Sequence, residues 1–518
     1  MPMRQGEDPR VSAIFRALAD GDHLRAIELS EAHWSYLSSF RLEVKRTVAD
    51  SLPDDVLRAR PLWAVTRQVL AHTFFGRLRP SLWGGVLPPL RRSDSLIDRL
   101  AVQTAYAAAA RFRGRLEDAA RWVARAQAEL AAAPESERAG ARLILADLHH
   151  EWALVALFAG RGSDAITMFT RSFEAAEQEG HPRAAINAAA ELAWLVTLTG
   201  KRAQALAWLG RIARLRAEHP TVHHTTHTDR IARAQLLLDE LDLAGARAEL
   251  AAVGDARDHA LLLCAVRALI DAHDPELDPA TTLAHLRAET DTFHDGWAAA
   301  HLNEAMLEVA QTRLYLRSGQ AALAVQAIGA TERVSGEIGS GRAAAALHQL
   351  GDDERAYAMT TRFLAEGSRW PRMRVHALAV HSILLLRRGE ERAAAETFSE
   401  ALELVAEHRL LISLAILPAD DLRELAALLP QRHPRRYLAL AVADAPIAST
   451  PGPEGPRLSA RESTVLAVLA EGITVAEAAA RLMVSVNTVK TQLRMLYLKL
   501  GVHDRRDLLV AARRRGLV

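Results

Sequence analysis

The chain has 518 residues, half of them hydrophobic and a quarter charged, with a formal net charge of +1. That leaves room for roughly two to four ordinary globular domains and excludes a disordered or low-complexity polypeptide. A single cysteine, Cys264, rules out an intramolecular disulfide and points to a reducing cytoplasm.

From the N-terminus, MPMRQGEDPR is polar and lacks an apolar core, so no secretory leader is expected. Beyond it Ala, Leu, Arg and Glu dominate and β-branched runs are few, which favours helix throughout. Apolar stretches such as Val375 to Leu386 fall well short of the ~20 residues of a membrane span.

A Gly-x4-Ala signature recurs through this helical region: Gly21/Ala26, Gly114/Ala119, Gly160/Ala165, Gly200/Ala205, Gly319/Ala324, Gly351/Ala356 and Gly389/Ala394. An amphipathic helix precedes most of these turns, and a second helix follows, as in DAARWVARAQAEL and RAAAETFSEALELV. A weaker unit over Leu241 to Leu250 lacks the Gly but fills the gap after Gly200. The Gly makes the tight turn and the small Ala lets the second helix close on the first. Such pairs cannot bury their faces alone, so they stack.

Three features of the region have bland readings that we prefer. His219, His223, His224, His227 and Asp229 sit in AEHPTVHHTTHTDR, which suggests a metal, but Pro and Thr make this an inter-repeat loop. His149 and His150 are adjacent in a helix and cannot share a face, so one is expected exposed and the other packed. Cys264 reads as a small core residue between leucines. The nine tryptophans (34, 63, 83, 122, 152, 194, 208, 297 and 370) are mostly core, with two or three available to stack on a ligand if a concave pocket exists. No Ser-His-Asp arrangement or carboxylate pair stands out, so no catalytic residue, cofactor or metal is assigned, and the chain is not expected to be an enzyme.

ADAPIASTPGPEGP, residues 443–456, is rich in proline and reads as a stiff extended tether. It separates a region 1–442 from a terminal module 457–518. The module carries 11 Lys+Arg against 5 Asp+Glu, a net of +6, whereas the preceding 456 residues carry 53 against 58, a net of −5. A small basic module on an acidic body is the footprint of phosphate binding.

Within the module, Ser459/Glu462 and Thr474/Glu477 have capping-box spacing, and Ser485 is a third helix cap. Gly472 and Gly501 close helices. Val489, Leu493, Leu496 and Leu500 form one stripe of the third helix, its core face. Asn487, Lys490, Thr491, Arg494 and Leu498 fall on the opposite side, where two cations, an amide and a hydroxyl equip it for a DNA major groove. A fourth helix is expected from near Asp504.

The run RLSARESTVLAVLAEGITVAEAAARLMVSVNTVKTQLRMLYLKLGVHDRRDLLVAARRRGLV resembles the LuxR-type DNA-binding domain over its full length. The resemblance implies base-facing roles for Lys490, Thr491 and Arg494, and backbone or site-edge contacts for Asn487 and Thr488. It makes Asp504 to Arg514 a dimerisation helix. By their charge and position, Arg505 and Arg506 at the start of the last helix are expected to touch phosphate. Gln492, Met495 and Leu498 depart from the pattern, and the last two make the far end of the helix more apolar. The repeats resemble tetratricopeptide repeats. GDHLRAIELSEAHW with LPDDVLRARPLW is similar to the repeat region of the large ATP-dependent LuxR regulators of the MalT type. Their nucleotide-binding module has no counterpart: there is no G-x-x-x-x-G-K-[ST], and Thr199-Gly200-Lys201-Arg202 has Leu195 where the first Gly belongs.

The expected architecture is therefore all-α, a tetratricopeptide-like superhelix followed by a four-helix LuxR-type domain. The expected function is a cytoplasmic, nucleoid-associated transcription regulator that binds double-stranded DNA as a homodimer. Its repeats would sense a small effector or protein partner, with RNA polymerase a further candidate partner and no membrane association. The alternative is an adaptor whose terminal module no longer binds DNA.

Overall fold

The computed structural model describes residues 8–74, 88–89, 95–222, 227–253, 259–293, 301–331, 336–447, 458, 460–500 and 502–514. Among these the regular elements are helices, with no strand.

The body is built from neighbouring antiparallel helices joined by very short turns. Leu96–Phe112 and Leu116–Ala132 are typical. Gly114 joins them at φ +70, and the Arg115 N–H donates back to the Ala110 carbonyl at 2.9 Å. This closing bond needs a left-handed residue, which glycine adopts without a Cβ clash. All seven signature glycines lie at φ between +67 and +86, and all seven paired alanines are fully buried. A Cβ on Gly21, Gly319, Gly351 or Gly389 would meet nothing within 4 Å, so there the conformation alone demands glycine.

The unit without glycine obeys the same geometry. Leu241 sits at φ +70, Asp242 N–H donates to the Leu237 carbonyl at 2.9 Å, and Ala246 is fully buried. A left-handed conformation costs an L-residue about 1–2 kcal/mol. The cost is offset by Leu241 packing on the main core. Asp22, Asp242 and Asp352, each directly after its turn, accept from the backbone N–H three residues on and cap the second helix.

Two large cores fill the body. One runs from Ile14 to Val155, the other from Ala146 to Ile447. The second closes on itself. Arg372, in the first turn of Pro371–Arg387, reaches back to Asp239 with Nη1 at 2.6 Å and Nη2 at 2.7 Å. It also donates to the carbonyls of Leu198 at 3.2 Å and Thr197 at 3.0 Å. Gly200 faces this junction: a Cβ there would lie 2.8 Å from the Arg372 nitrogen. Gly200 thus serves both the turn and a close backbone approach.

Trp63, Trp152 and Trp194 are fully buried in these cores. The two histidines of the 149–150 pair do not divide as expected. Both are half-buried, His149 edge-on to Trp152 and His150 edge-on to Phe169. Burial, reinforced by the charge of Arg171, pulls His149 down to about 4. Cys264 is buried among apolar residues, and burial pushes its thiol up to about 12. The histidine-rich segment is not loop throughout: Asp229 lies in the first turn of the helix Thr228–Asp239, buried and held by Arg216 at 2.7 Å and Arg233 at 2.9 Å. His219 packs on Phe40. His223 and His224 lie outside the described residues, as do Trp83, Trp297 and positions 448–456 of the tether. No described helix is long and apolar enough to cross a membrane.

Candidate nucleic-acid interface

The terminal module has its own small core. Val465, Leu466, Leu469, Ala478, Leu508 and Ala512 close around the third helix, Val486–Leu500. That helix buries Val489, Leu493, Leu496 and Leu500, the stripe expected from periodicity. The start of the second helix, Val475–Arg481, is a complete capping box. Thr474 accepts from the Glu477 N–H at 3.2 Å, and the Glu477 carboxylate accepts from the Thr474 N–H at 2.7 Å. These bonds, together with the charge of Arg505, outweigh desolvation and hold the Glu477 carboxyl below its ordinary value. Gly472 follows the first helix, Ala460–Ala470, and closes it at φ +87. Ser459 and Gly501 lie outside the described residues.

The third helix begins at Ser485, whose hydroxyl accepts from the Thr488 N–H at 3.0 Å. Opposite the core stripe, Asn487, Thr488, Lys490, Thr491 and Arg494 are all exposed. Among the described residues no ion pair engages Lys490 or Arg494, whereas most arginines of the body have carboxylate partners. The side chain of Leu498 lies outside the described ones, and Met495 is half-buried.

Hydrogen bonds refine two roles. The Thr491 hydroxyl donates to the Asn487 carbonyl at 2.9 Å, which occupies its proton and leaves an acceptor oxygen and a methyl to face outward. The Thr488 hydroxyl lies 2.8 Å from that of Ser485 and belongs to the cap.

Arg505 and Arg506 separate. Arg505 Nη2 donates to the carbonyls of Leu469, at 3.1 Å, and Ile473, so it braces the end of the first helix. Arg506 is exposed. The last helix spans Arg505–Arg514, with Asp504 accepting from the Asp507 N–H at 2.8 Å as its cap. It buries Leu508 and Ala512 and leaves Val510 46% exposed.

Residues 456–512 match the family described as bacterial regulatory proteins, luxR family. The terminal module is a LuxR-family helix-turn-helix domain. No curated protein matches the chain.

Two features of the LuxR-family domain were not legible from spacing. Lys499 Nζ lies 2.5 Å from Glu462 Oε2, both almost buried, and ties the end of the third helix to the first. Spacing marks Glu462 only as a capping-box partner; its pairing with Lys499 requires the tertiary fold. The turn before the third helix presents Met483, at φ +53 and 92% exposed, beside exposed Val484 and Val486. This apolar knuckle adjoins the basic face. The third helix also lies against the body helix Ala321–Thr331.

Proposed function

We propose that the chain is a sequence-specific transcription regulator whose body forms a tetratricopeptide-like superhelix that receives a signal. The single observation that carries the DNA-binding part is the exposed face of Asn487, Lys490, Thr491 and Arg494 on a LuxR-family domain. Lys490 and Arg494 read guanine edges or grip phosphates, and Thr491 turns its methyl to thymine. Asn487 and Thr488 sit at the edge of the site, and Arg506 contacts phosphate. Arg505 acts mainly as a brace. Dimerisation through the last helix, with Val510 on its open face, places two reading helices on two half-sites. The body helix against the reading helix supports coupling between the two parts, because a change in the body can alter that helix's freedom. RNA polymerase is the partner through which a bound regulator would act, and no catalytic role is assigned.

The test is enrichment of genomic fragments by the full-length protein beside a Lys490→Ala/Arg494→Ala variant. The wild type should enrich a shared motif and the variant should lose it, at ~1–3 kcal/mol per contact removed. Equal enrichment by both proteins would sink the assignment.

A further inference from the structure

The body holds a partly open cavity of about 230 Å³ in the region where its later helices close back on the earlier ones. A cavity of ~150 Å³ already admits benzene, so a small organic molecule fits. The walls are mostly apolar, with Leu157, Ile166, Leu195, Leu198, Met306 and Ile416 among them. Of the described tryptophans only Trp370 reaches it, fewer than the two or three expected.

The charged groups that line this cavity are guanidinium groups, beside neutral polar side chains such as Gln235, Thr312 and Ser413. Arg313, Arg342 and Arg372 all line it. Arg372 is matched by Asp239, and Arg313 donates to the Ala415 carbonyl at 2.8 Å. Glu308 is the other buried carboxylate here, with its Oε1 3.7 Å from Arg342 Nε, beyond hydrogen-bond reach. His273 and His376 also line the cavity, and burial, with the charge of nearby arginines, pulls both well below the ordinary histidine value. They are neutral, so among the described residues three guanidinium groups line the cavity, with the carboxylates of Asp239 and Glu308 behind two of them.

The unfilled donors centre on Arg342, which is 8% exposed. Its Nε and Nη2 have no hydrogen-bond partner among the described residues. These two nitrogens form one edge of the guanidinium, a planar two-donor fork that fits a carboxylate. Ser413 Oγ and His376 Nδ1, also on the cavity wall, are likewise unpartnered among the described residues. The fork is held in place because Gly341 lets its helix press on the next: a Cβ there would lie 2.6 Å from that of His376. Glu308 balances the charge of Arg342 but fills neither donor, and buried donors left without an acceptor are costly; a bound carboxylate satisfies both.

We infer that this cavity is a binding site for a small monocarboxylate with an apolar body, its carboxylate on the Nε–Nη2 edge of Arg342 and its body along the aliphatic wall. The inference gives a ligand class to the sensing body proposed above and rests on that reading for its biological use. The binding itself is independent of it.

The test measures binding of octanoate and 1-octanol to the full-length protein by calorimetry. Octanoate should bind at least tenfold more tightly. Arg342→Gln should remove that preference while keeping the affinity for 1-octanol, which also reports an intact cavity. Val309→Trp, which fills the cavity from its wall, should weaken both. Equal affinities of acid and alcohol in the wild type, no binding of octanoate, or a preference that survives Arg342→Gln would each overturn the site. DNA affinity is measured in parallel. Arg342-dependent octanoate binding with unchanged DNA affinity keeps the site and removes the sensing reading. DNA affinity that responds to a neutral or cationic compound, without octanoate binding, removes the site and keeps sensing.

Discussion

The body and the LuxR-family domain use arginine in opposite ways. In the body, guanidinium groups are drawn inward or across helix junctions: Arg372 to Asp239, Arg216 and Arg233 to Asp229, Arg387 to Asp421 and Glu424. In the terminal domain Lys490 and Arg494 stand exposed beside one another on a helix whose other face is sealed. The difference teaches where function and stability reside. Charges paired in the body hold distant segments in register, and charges left open at the terminus are available to a polyanion. Substitutions should therefore separate: body pairs change stability, and the exposed cations of the reading face, Lys490 and Arg494, change binding.

The largest effect should come from Arg372→Ala. It strands the buried Asp239 carboxylate and removes two carbonyl contacts, so the body should lose about 3–5 kcal/mol. Urea unfolding followed separately in body and terminal domain should move only the body midpoint. A shift in the terminal midpoint would break the contrast.

His348 sharpens the same contrast through pH. Burial pulls it down, but hydrogen bonds and charge from Asp353 and Asp421 outweigh burial and hold it up at about 9. A folded-state value raised above the unfolded ~6.5 contributes stability fully present below pH 6.5 and lost as pH rises through 9. The loss should be on the order of 3 kcal/mol. Body stability measured at pH 6 and pH 9.5 should show it, and His348→Gln should flatten the difference.

Next are the turn glycines. Gly351→Ala, with open space around its Cβ, should cost only the left-handed strain of about 1–2 kcal/mol. Gly200→Ala adds the clash with Arg372 and should cost measurably more. Equal costs in thermal unfolding would show that the junction yields without resistance. The smallest effect is Thr474→Ala, which opens the capping box and should cost the terminal domain ~1 kcal/mol while leaving the body transition unmoved.

Much of this was legible locally. The Gly-x4-Ala spacing located seven left-handed turns and seven buried alanines, because the signal lies within six residues. The gap at Leu241 was also visible, though not that leucine itself would adopt the glycine conformation, since that depends on its packing against the core. Caps at Thr474 and Ser485 and the stripe of the third helix were readable for the same short-range reason. What escaped has partners far apart in sequence. Arg372 and Asp239 are 133 residues apart, Lys499 and Glu462 are 37 apart, and the cavity collects residues from Leu157 to Ile416. The tryptophans are mostly core, as their size suggests, but size does not say which ring faces a cavity.

The junction between Arg372 and the 197–239 segment bears on how this protein can evolve. An open spiral of repeats gains or loses a unit with little consequence beyond its length. Here the segment at 370 must return to the one at 200, so the number of helices between them is constrained by closure. Deleting the pair Thr228–Asp239 and Leu243–Ala251 would remove Asp239 and carry Arg372 away from Gly200. Descendants of this chain should vary freely in surface residues and in the tether, and hold the repeat count between Gly200 and Arg372 constant.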